Sequence, residues 1–406
     1  MRRRILIVSP TLPHPPIWGF GIRVFELVQH LARGNDVTLL AHAGPEDSDK
    51  VEAMRAVCEE VRTVSLARPP GATSRAAQLA SLWSPLPHHV LRVRSRELQA
   101  ELNRLLACER FDLIQIESSP LAELRIDPDL PVVLDEHNIE YELLRRACET
   151  EAALPRKAFN WLEYLKLRRH EEASWGRVRA IAVTSDREAR IVSQRLPHAN
   201  VAVIPNGVNL EYFMPADNAV DPDSIVFTGL MSYRPNLDAA GYFAHQVLPL
   251  IRRSRPKARF TVVGWGSVEQ IQAHVGPGVE VTGRVPDVRP YLRSAAVVTV
   301  PLRVGGGTRL KVLEALATAR PVVSTALGCE GIDVRDGEHL LIRDDPKSQA
   351  EAVLELMAEP RSANILGQRG RNLVEQQYGW ASSAGKLEAL FDRVLEGRAR
   401  PVEAPG

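Results

Sequence analysis

A chain of 406 residues with 51 Lys+Arg against 50 Asp+Glu, a formal net charge of +1 and 45% hydrophobic residues is neither disordered nor collagen-like, and its balanced charge gives no general attraction for nucleic acid. A single core rarely grows past roughly 250–300 residues, so two compact domains are expected. Cys58, Cys108, Cys148 and Cys329 are widely spread with no Cys-x-x-Cys, which points away from a zinc knuckle or disulfide framework and towards a reducing cytoplasm.

The opening Met1–Pro10 carries positive residues, but its apolar run is too short for a signal-peptide core and reads as a first strand. Short apolar runs then alternate with amphipathic stretches, the rhythm of an α/β protein with parallel strands and crossover helices. Strands are expected at Arg4–Val8, Asp36–Leu40, Val61–Leu66, Asp112–Ile116, Val132–Leu134 and Ala180–Thr184. Between the first two, Trp18-Gly19-Phe20-Gly21 leads into a helix over Ile22–Arg33, whose apolar stripe is Val24, Leu27, Val28 and Leu31. Gly19 and Gly21, with Arg23 in the opening turn, suit either close backbone approach to a ligand or a helix start that needs small residues. Leu134-Asp135-Glu136-His137 places His137 at the carboxyl end of a strand, where a histidine can donate or accept near pH 7. Asp135-Glu136-His137 lacks a second ligand cluster at helical spacing, so no metal is expected. Asp47-Ser48-Asp49, Asp127-Pro128-Asp129 and Asp221-Pro222-Asp223 read as turns and caps. Pro155–Trp175 is a helix with Arg156, Lys157, Lys166, Arg168 and Arg169 beside Phe159, Trp161, Leu162 and Leu165. Such a stripe either packs on its own sheet or rests on an anionic membrane. Nowhere do about eighteen apolar residues run uninterrupted, so no span is expected to cross a bilayer.

Prolines and Asp/Asn/Gly turns mark 198–223 as a linker between an N-terminal domain, 1–197, and a second domain, 224–378, with a last helix over 379–397 crossing back onto the first. In the second domain Ile225–Phe227, Phe260–Val263, Val279–Thr282, Val297–Val300 and Val322–Ser324 are near-continuous apolar runs, as strands buried on both faces require. Two doubly wound sheets would turn the carboxyl ends of their strands towards a crevice, so the loops there carry the functional expectation. Gly305-Gly306-Gly307-Thr308-Arg309-Leu310-Lys311 leads into a helix beginning near Thr308. Glycines permit close approach and a helix start offers unpaired N–H groups, a combination suited to a diphosphate. Arg309 and Lys311 sit where helix-dipole logic favours acids, which suits them to an anion. Glu314 borders an apolar helix face and needs a hydroxyl or cation partner. The plainer alternative is a tight turn followed by a surface Lys311–Glu314 pair. Arg234 and Asn236 follow the first strand of this domain, and Gly264, Gly266 and Arg284 follow the next two; none of these loops meets the Gly-x-Gly-x-x-Gly pattern of a dinucleotide site.

Ile204-Pro205-Asn206-Gly207-Val208-Asn209, the Phe227–Asn236 loop, Val262-Val263-Gly264, Val281-Thr282-Gly283-Arg284-Val285 and the Gly305–Glu314 stretch followed by Arg320-Pro321-Val322-Val323-Ser324-Thr325 occur in one order. That series closely resembles family 4 glycosyltransferases of the GT-B fold, most of all bacterial exopolysaccharide sugar transferases of the PEP-CTERM-associated type. The resemblance implies two Rossmann-like domains closing on a nucleotide-diphosphate sugar, retention at the anomeric carbon and no cofactor or metal. It also implies a glycan or lipid-linked acceptor and a cytoplasmic protein, with peripheral contact at the inner membrane face as a further option. By analogy Glu314 matches the second acid of the family's Glu-x7-Glu motif, while the first falls on Gly306. The family's diphosphate-binding arginine and lysine fall on Leu230 and Asn236, leaving Arg234, Arg309 and Lys311 to supply the charge. Gly19 and Gly21 match the family's glycine loop, and His137 its first-domain histidine. Gly307, Thr308 and Leu310 would complete the donor loop. A nucleotide-sugar 2-epimerase and a GT-B protein that binds without turnover are the competing readings.

Overall fold

The structure is a computed structural model that describes residues 2–65, 81–151, 153–216, 220–306 and 309–397. The chain divides into two compact units, one running up to Pro205 and including the residues from Trp380 onward, the other Asn206–Gly379.

The first unit is built on a parallel seven-stranded sheet of β1 (Arg4–Ser9), β2 (Asp36–His42), β3 (Glu60–Val64), β4 (Leu113–Glu117), β5 (Val132–Glu136), β6 (Ala180–Val183) and β7 (Val201–Val203), in the order β3-β2-β1-β4-β5-β6-β7. Ile5, Leu6, Ile7 and Val8 are wholly buried, the signature of a strand covered on both faces. The first helix spans Gly19–Leu31 and buries Val24, Leu27, Val28 and Leu31, the stripe read from the sequence. It begins three residues before Ile22, so Gly19 and Gly21 lie in its first turn. The low helix propensity of glycine hid that start. Trp380–Glu396 belongs to this unit: Ser383 Oγ donates to the Pro205 carbonyl at 2.8 Å, and Asn35 Nδ2 donates to Glu388 at 3.0 Å.

The long helix Leu154–Trp175 corrects one expectation. Its buried face is Glu163, Tyr164, Leu167, His170, Glu171, Ser174 and Trp175, whereas Leu154, Trp161, Leu162 and Leu165 are exposed. Of the named apolar stripe only Phe159 is half-buried; the buried face is Tyr164, Leu167 and Trp175, in the core, with Glu163, His170, Glu171 and Ser174, which have internal hydrogen-bond partners.

The second unit holds a parallel six-stranded sheet of β8 (Asp221–Thr228), β9 (Arg259–Val263), β10 (Val279–Gly283), β11 (Ala295–Val300), β12 (Val322–Ser324) and β13 (Leu341–Ile342), ordered β10-β9-β8-β11-β12-β13. Asp221-Pro222-Asp223 is not a turn but the start of β8, with Asp221 opposite Ala295 and Asp223 ion-paired to Arg255 at 2.6 Å. Proline is tolerated at a strand's first residues because the ladder there needs no donor from it. β7, inside the expected linker, and β13 are three and two residues long at sheet edges and partly exposed, too short to carry a period in the sequence. The helix expected near Thr308 is Leu310–Ala317. Among the described residues no helix is long and apolar enough to cross a membrane.

Candidate functional site

In the first unit the sheet order reverses between β1 and β4, the switch point outside whose strand ends ligands bind in doubly wound sheets. His137 stands just past β5 and is 7% exposed. Its Nε2 lies 2.7 Å from Glu117 Oε2 at the end of β4, and its ring stacks on Phe20 at 4.6 Å between centroids. Glu117 Oε1 accepts from Gln115 Nε2 at 2.6 Å. Beside them Asp135 accepts from Arg23 Nε at 2.9 Å and Nη2 at 2.7 Å, and Arg23 Nη1 donates to the Ile204 carbonyl at 2.9 Å. Burial raises the Glu117 carboxyl's pKa, and its hydrogen bond from His137 opposes that rise.

Arg23, in the opening turn beside those glycines, is thus buried and committed to Asp135. The two glycines separate as well. A side chain at Gly21 would press on the Trp18 ring and the Pro13 carbonyl at 3.2 Å, a tight fit that favours glycine there. A side chain at Gly19 would meet nothing within 4 Å, which leaves open space at the helix start for an incoming group.

Glu117, Asp135 and His137 bring one ligand atom each within 4.8 Å of one another. Both Asp135 oxygens already take the Arg23 guanidinium, while Glu117 Oε1 accepts from Gln115 Nε2 and Glu117 Oε2 lies against His137 Nε2. The cluster reads as a closed hydrogen-bond network whose cation is Arg23.

In the second unit the carboxyl ends of β8, β9 and β10 meet in glycines. A side chain at Gly264, where φ is +143°, would lie 1.9 Å from the Gly229 carbonyl oxygen, so no other residue fits. At Gly229 a Cβ would fall 2.6 Å from Lys311 Nζ. That ammonium donates to Asn236 Oδ1 at 2.8 Å and lies 4.3 Å from the centre of the Phe227 ring. Asn236 Nδ2 in turn donates to the Leu230 carbonyl at 2.8 Å. Burial, reinforced by Arg309, lowers the Lys311 pKa to about 7. Burial raises Glu314 to about 7, with Lys311 opposing. The surface-pair alternative for Lys311 and Glu314 does not hold, because Lys311 turns inward to Asn236.

Arg309 is 7% exposed, directly precedes the helix Leu310–Ala317 and donates to the Gly306 carbonyl. Gly305 has φ +109°, a conformation that favours glycine, and Gly306 and Leu310 are half-buried beside it. Gly307 and Thr308 lie outside the described residues. Arg234 is exposed at the first position of the helix Arg234–Tyr242. Arg284 is exposed and lies 5.1 Å over the Trp265 ring. Gly266 is closely packed, since a Cβ would press Ile271 and Met231 at 3.0 Å. The structure therefore gathers Asn236, Lys311, Arg309, Leu310 and Glu314 around one helix start, whereas Arg234 and Arg284 face solvent.

Sequence reasoning missed Glu117, Gln115 and Gly229. The signal was present in the first two: polar residues at alternate positions of Leu113-Ile114-Gln115-Ile116-Glu117, an otherwise apolar buried strand.

Two family models match most of the chain: Glycosyltransferase Family 4 over residues 18–212 and Glycosyl transferases group 1 over residues 222–359. A phosphatidyl-myo-inositol mannosyltransferase of Mycobacterium leprae is 25% identical over 84% of this chain and 90% of its own. Mycobacterial proteins of the same description from other species align over 55% of their length. Among solved structures, sucrose-phosphate synthase from Thermosynechococcus elongatus superposes with a TM-score of 0.71 at 19% identity, covering 98% of this chain and all of that one. Anabaena HepE in complex with UDP gives 0.69 at 13% identity, covering 97% of this chain and 100% of that one. These two likenesses show the fold, two parallel-sheet Rossmann-like units of the GT-B type. With both halves matched by models of one enzyme group, the chain belongs to the family 4 glycosyltransferases.

Proposed function

We propose that this glycosyltransferase moves a sugar from a UDP- or GDP-sugar to a polysaccharide or lipid-linked glycan acceptor, with retention at the anomeric carbon and without a metal, in envelope or exopolysaccharide synthesis. The observation that carries this reading is the Lys311 ammonium, held inside the second unit against Asn236 and Gly229 at the carboxyl end of β8. Negative charge grows on a departing diphosphate as the glycosidic bond breaks, and fixed cations in a dry site stabilise it far better than they would in water. Lys311 and Arg309 would do this, standing in the role a divalent ion has in metal-dependent transferases. Glu314, one turn on, would accept from a ribose hydroxyl, and His137 in the first unit would contact the sugar. The mycobacterial relative's lipid acceptor and the UDP bound to the Anabaena protein support the acceptor and donor classes. Exposed Leu154, Trp161, Leu162 and Leu165, with Arg156, Lys157 and Arg169 on the same helix, support peripheral contact with an anionic membrane.

Thermal stabilisation by UDP, GDP, ADP and dTDP without metal tests the donor class. A nucleotide at about 100 times its dissociation constant should add roughly 2.7 kcal/mol. Selective stabilisation by UDP or GDP is expected; stabilisation that requires added Mn2+ would overturn metal independence, and no response to either would favour a protein without a competent donor site. Arg309→Ala with Lys311→Ala should cost about 2–4 kcal/mol of transition-state stabilisation, and unchanged turnover in that double variant would remove both residues from the mechanism.

A further inference from the structure

Glu117 has no role in the donor-site reading, yet its surroundings are unusual for a carboxylate. It is 1% exposed at the end of β4, and the residue after it, Ser118, holds φ 75° and ψ 145°. Residues with side chains avoid that region, and such strain persists only where the surroundings over-determine it. The Ser118 N–H donates to the Asp135 carbonyl at 2.9 Å, tying the ends of β4 and β5 together and setting Glu117 beside His137.

Two carboxylates stand near the imidazole. Asp135 lies 3.9 Å from Nε2, but both its oxygens bond Arg23. Glu117 lies at 2.7 Å, so it is the group that orients the ring, while Phe20 stacked at 23° sets the ring plane. An imidazole that donates through Nε2 presents the lone pair of Nδ1 on its other side.

We propose that Glu117 is a positioning residue that holds His137 as the Nε2–H tautomer, so that Nδ1 accepts a hydrogen bond from a hydroxyl of the transferred sugar. This rests on the reading of His137 as a sugar-contacting residue. The network also defines a conservative variant. Gln115 Oε1 is buried without a hydrogen-bond partner. In Glu117→Gln, with the Gln115 amide turned over so that its Oε1 takes the place of Nε2, the new amide donates to Gln115 Oε1 while its own oxygen still accepts from His137.

The test combines transfer kinetics with histidine tautomer measurement by 13C and 15N NMR in wild type, Glu117→Gln, Glu117→Leu and His137→Ala. Glu117→Gln should keep the Nε2–H signature and kcat within about fivefold, while Glu117→Leu should lose the signature and about 30–100-fold in kcat with donor KM little changed, the pattern of an interaction made chiefly in the transition state. Circular dichroism and melting temperature report whether the leucine variant folds; the tautomer in the glutamine variant stands without it. Wild-type kcat in folded Glu117→Leu, or a lost Nε2–H signature in Glu117→Gln, overturns the proposal. Wild-type turnover in His137→Ala instead removes the reading of His137 on which it rests.

Discussion

Arg23 and Asp135 illustrate how a residue's type can be read correctly and its task misread. An arginine in the opening turn beside two glycines stands next to a loop suited to close backbone approach, and only the fold reveals that Asp135, from a strand more than a hundred residues on, takes the Nε–Nη2 edge of the guanidinium. Both side chains are at most 1% exposed. Removing one partner of a buried pair strands the other charge, so Arg23→Met should lose about 3–5 kcal/mol of stability, and adding Asp135→Leu should recover most of it. Urea denaturation reads both; a single variant within about 1 kcal/mol of wild type would show that water reaches the pair. His137 was legible because a histidine ending an apolar strand is conspicuous. Glu117 was not singled out, since the contact that gives it meaning joins neighbouring strands twenty residues apart.

At the scale of elements, sequence periodicity located most strands to within two residues, because strands buried on both faces must be continuously apolar whatever surrounds them. It failed where local chemistry misleads. Asp221-Pro222-Asp223 has the composition of a turn, and Gly19 and Gly21 have the propensity of a loop, yet each begins a regular element. The donor-site helix Leu310–Ala317 shows a different kind of coupling: it delivers a cation to a position on another helix. Lys311 Nζ lies 2.8 Å from Asn236, the position at which the family resemblance places a lysine. The charge should therefore be transferable between the two elements. Lys311→Leu should weaken nucleoside diphosphate binding by roughly 10–100-fold, the worth of about 1.5–3 kcal/mol for a charged hydrogen bond. Lys311→Leu combined with Asn236→Lys should regain about tenfold of that loss. Isothermal titration calorimetry decides. Undiminished binding in Lys311→Leu would show that the ammonium does not reach the ligand, and failure of the double variant would show that the helix, not the charge alone, matters.

Over the whole molecule the buried carboxyls of the first unit and the buried Lys311 of the second move stability in opposite directions as pH rises. In the first, burial raises the carboxyl pKa of Glu136 to about 8 and of Glu140 to about 7, that of Glu171 well above its ordinary value, and that of Glu188 as well. Glu171 accepts from the Glu140 and Tyr141 N–H groups at 3.0 Å, capping the helix Glu140–Thr150 from the neighbouring helix Leu154–Trp175. Glu136 accepts from Trp175 Nε1 at 3.1 Å. These contacts favour the ionised form, but burial outweighs them. Through these carboxyls the folded unit keeps protons that the unfolded chain releases, and they make its stability fall as pH rises from about 4.5 towards 8, by at most about 1.4 kcal/mol per pH unit for each such group, while His42, His89 and His170, whose pKa burial lowers, act the other way below pH 6.5. In the second unit Glu314 has the same sign up to its value of about 7. Lys311 has the reverse: its folded pKa of about 7 lies below the ordinary 10.5, so the unfolded chain binds the extra proton and stability rises with pH between those values. Raising pH from 7 to 9 should therefore stabilise the second unit through Lys311 while the first continues to lose stability up to about pH 8. Hydrogen exchange followed by mass spectrometry, corrected for the intrinsic pH dependence of exchange, resolves the two: protection in β5 and β6 should decline between pH 6 and 8, and protection in β8 and β11 should rise between pH 7 and 9. Lys311→Met should abolish the rise without touching the decline. A uniform response in both sheets would mean that the buried groups titrate near their ordinary values, and that water reaches them within each unit.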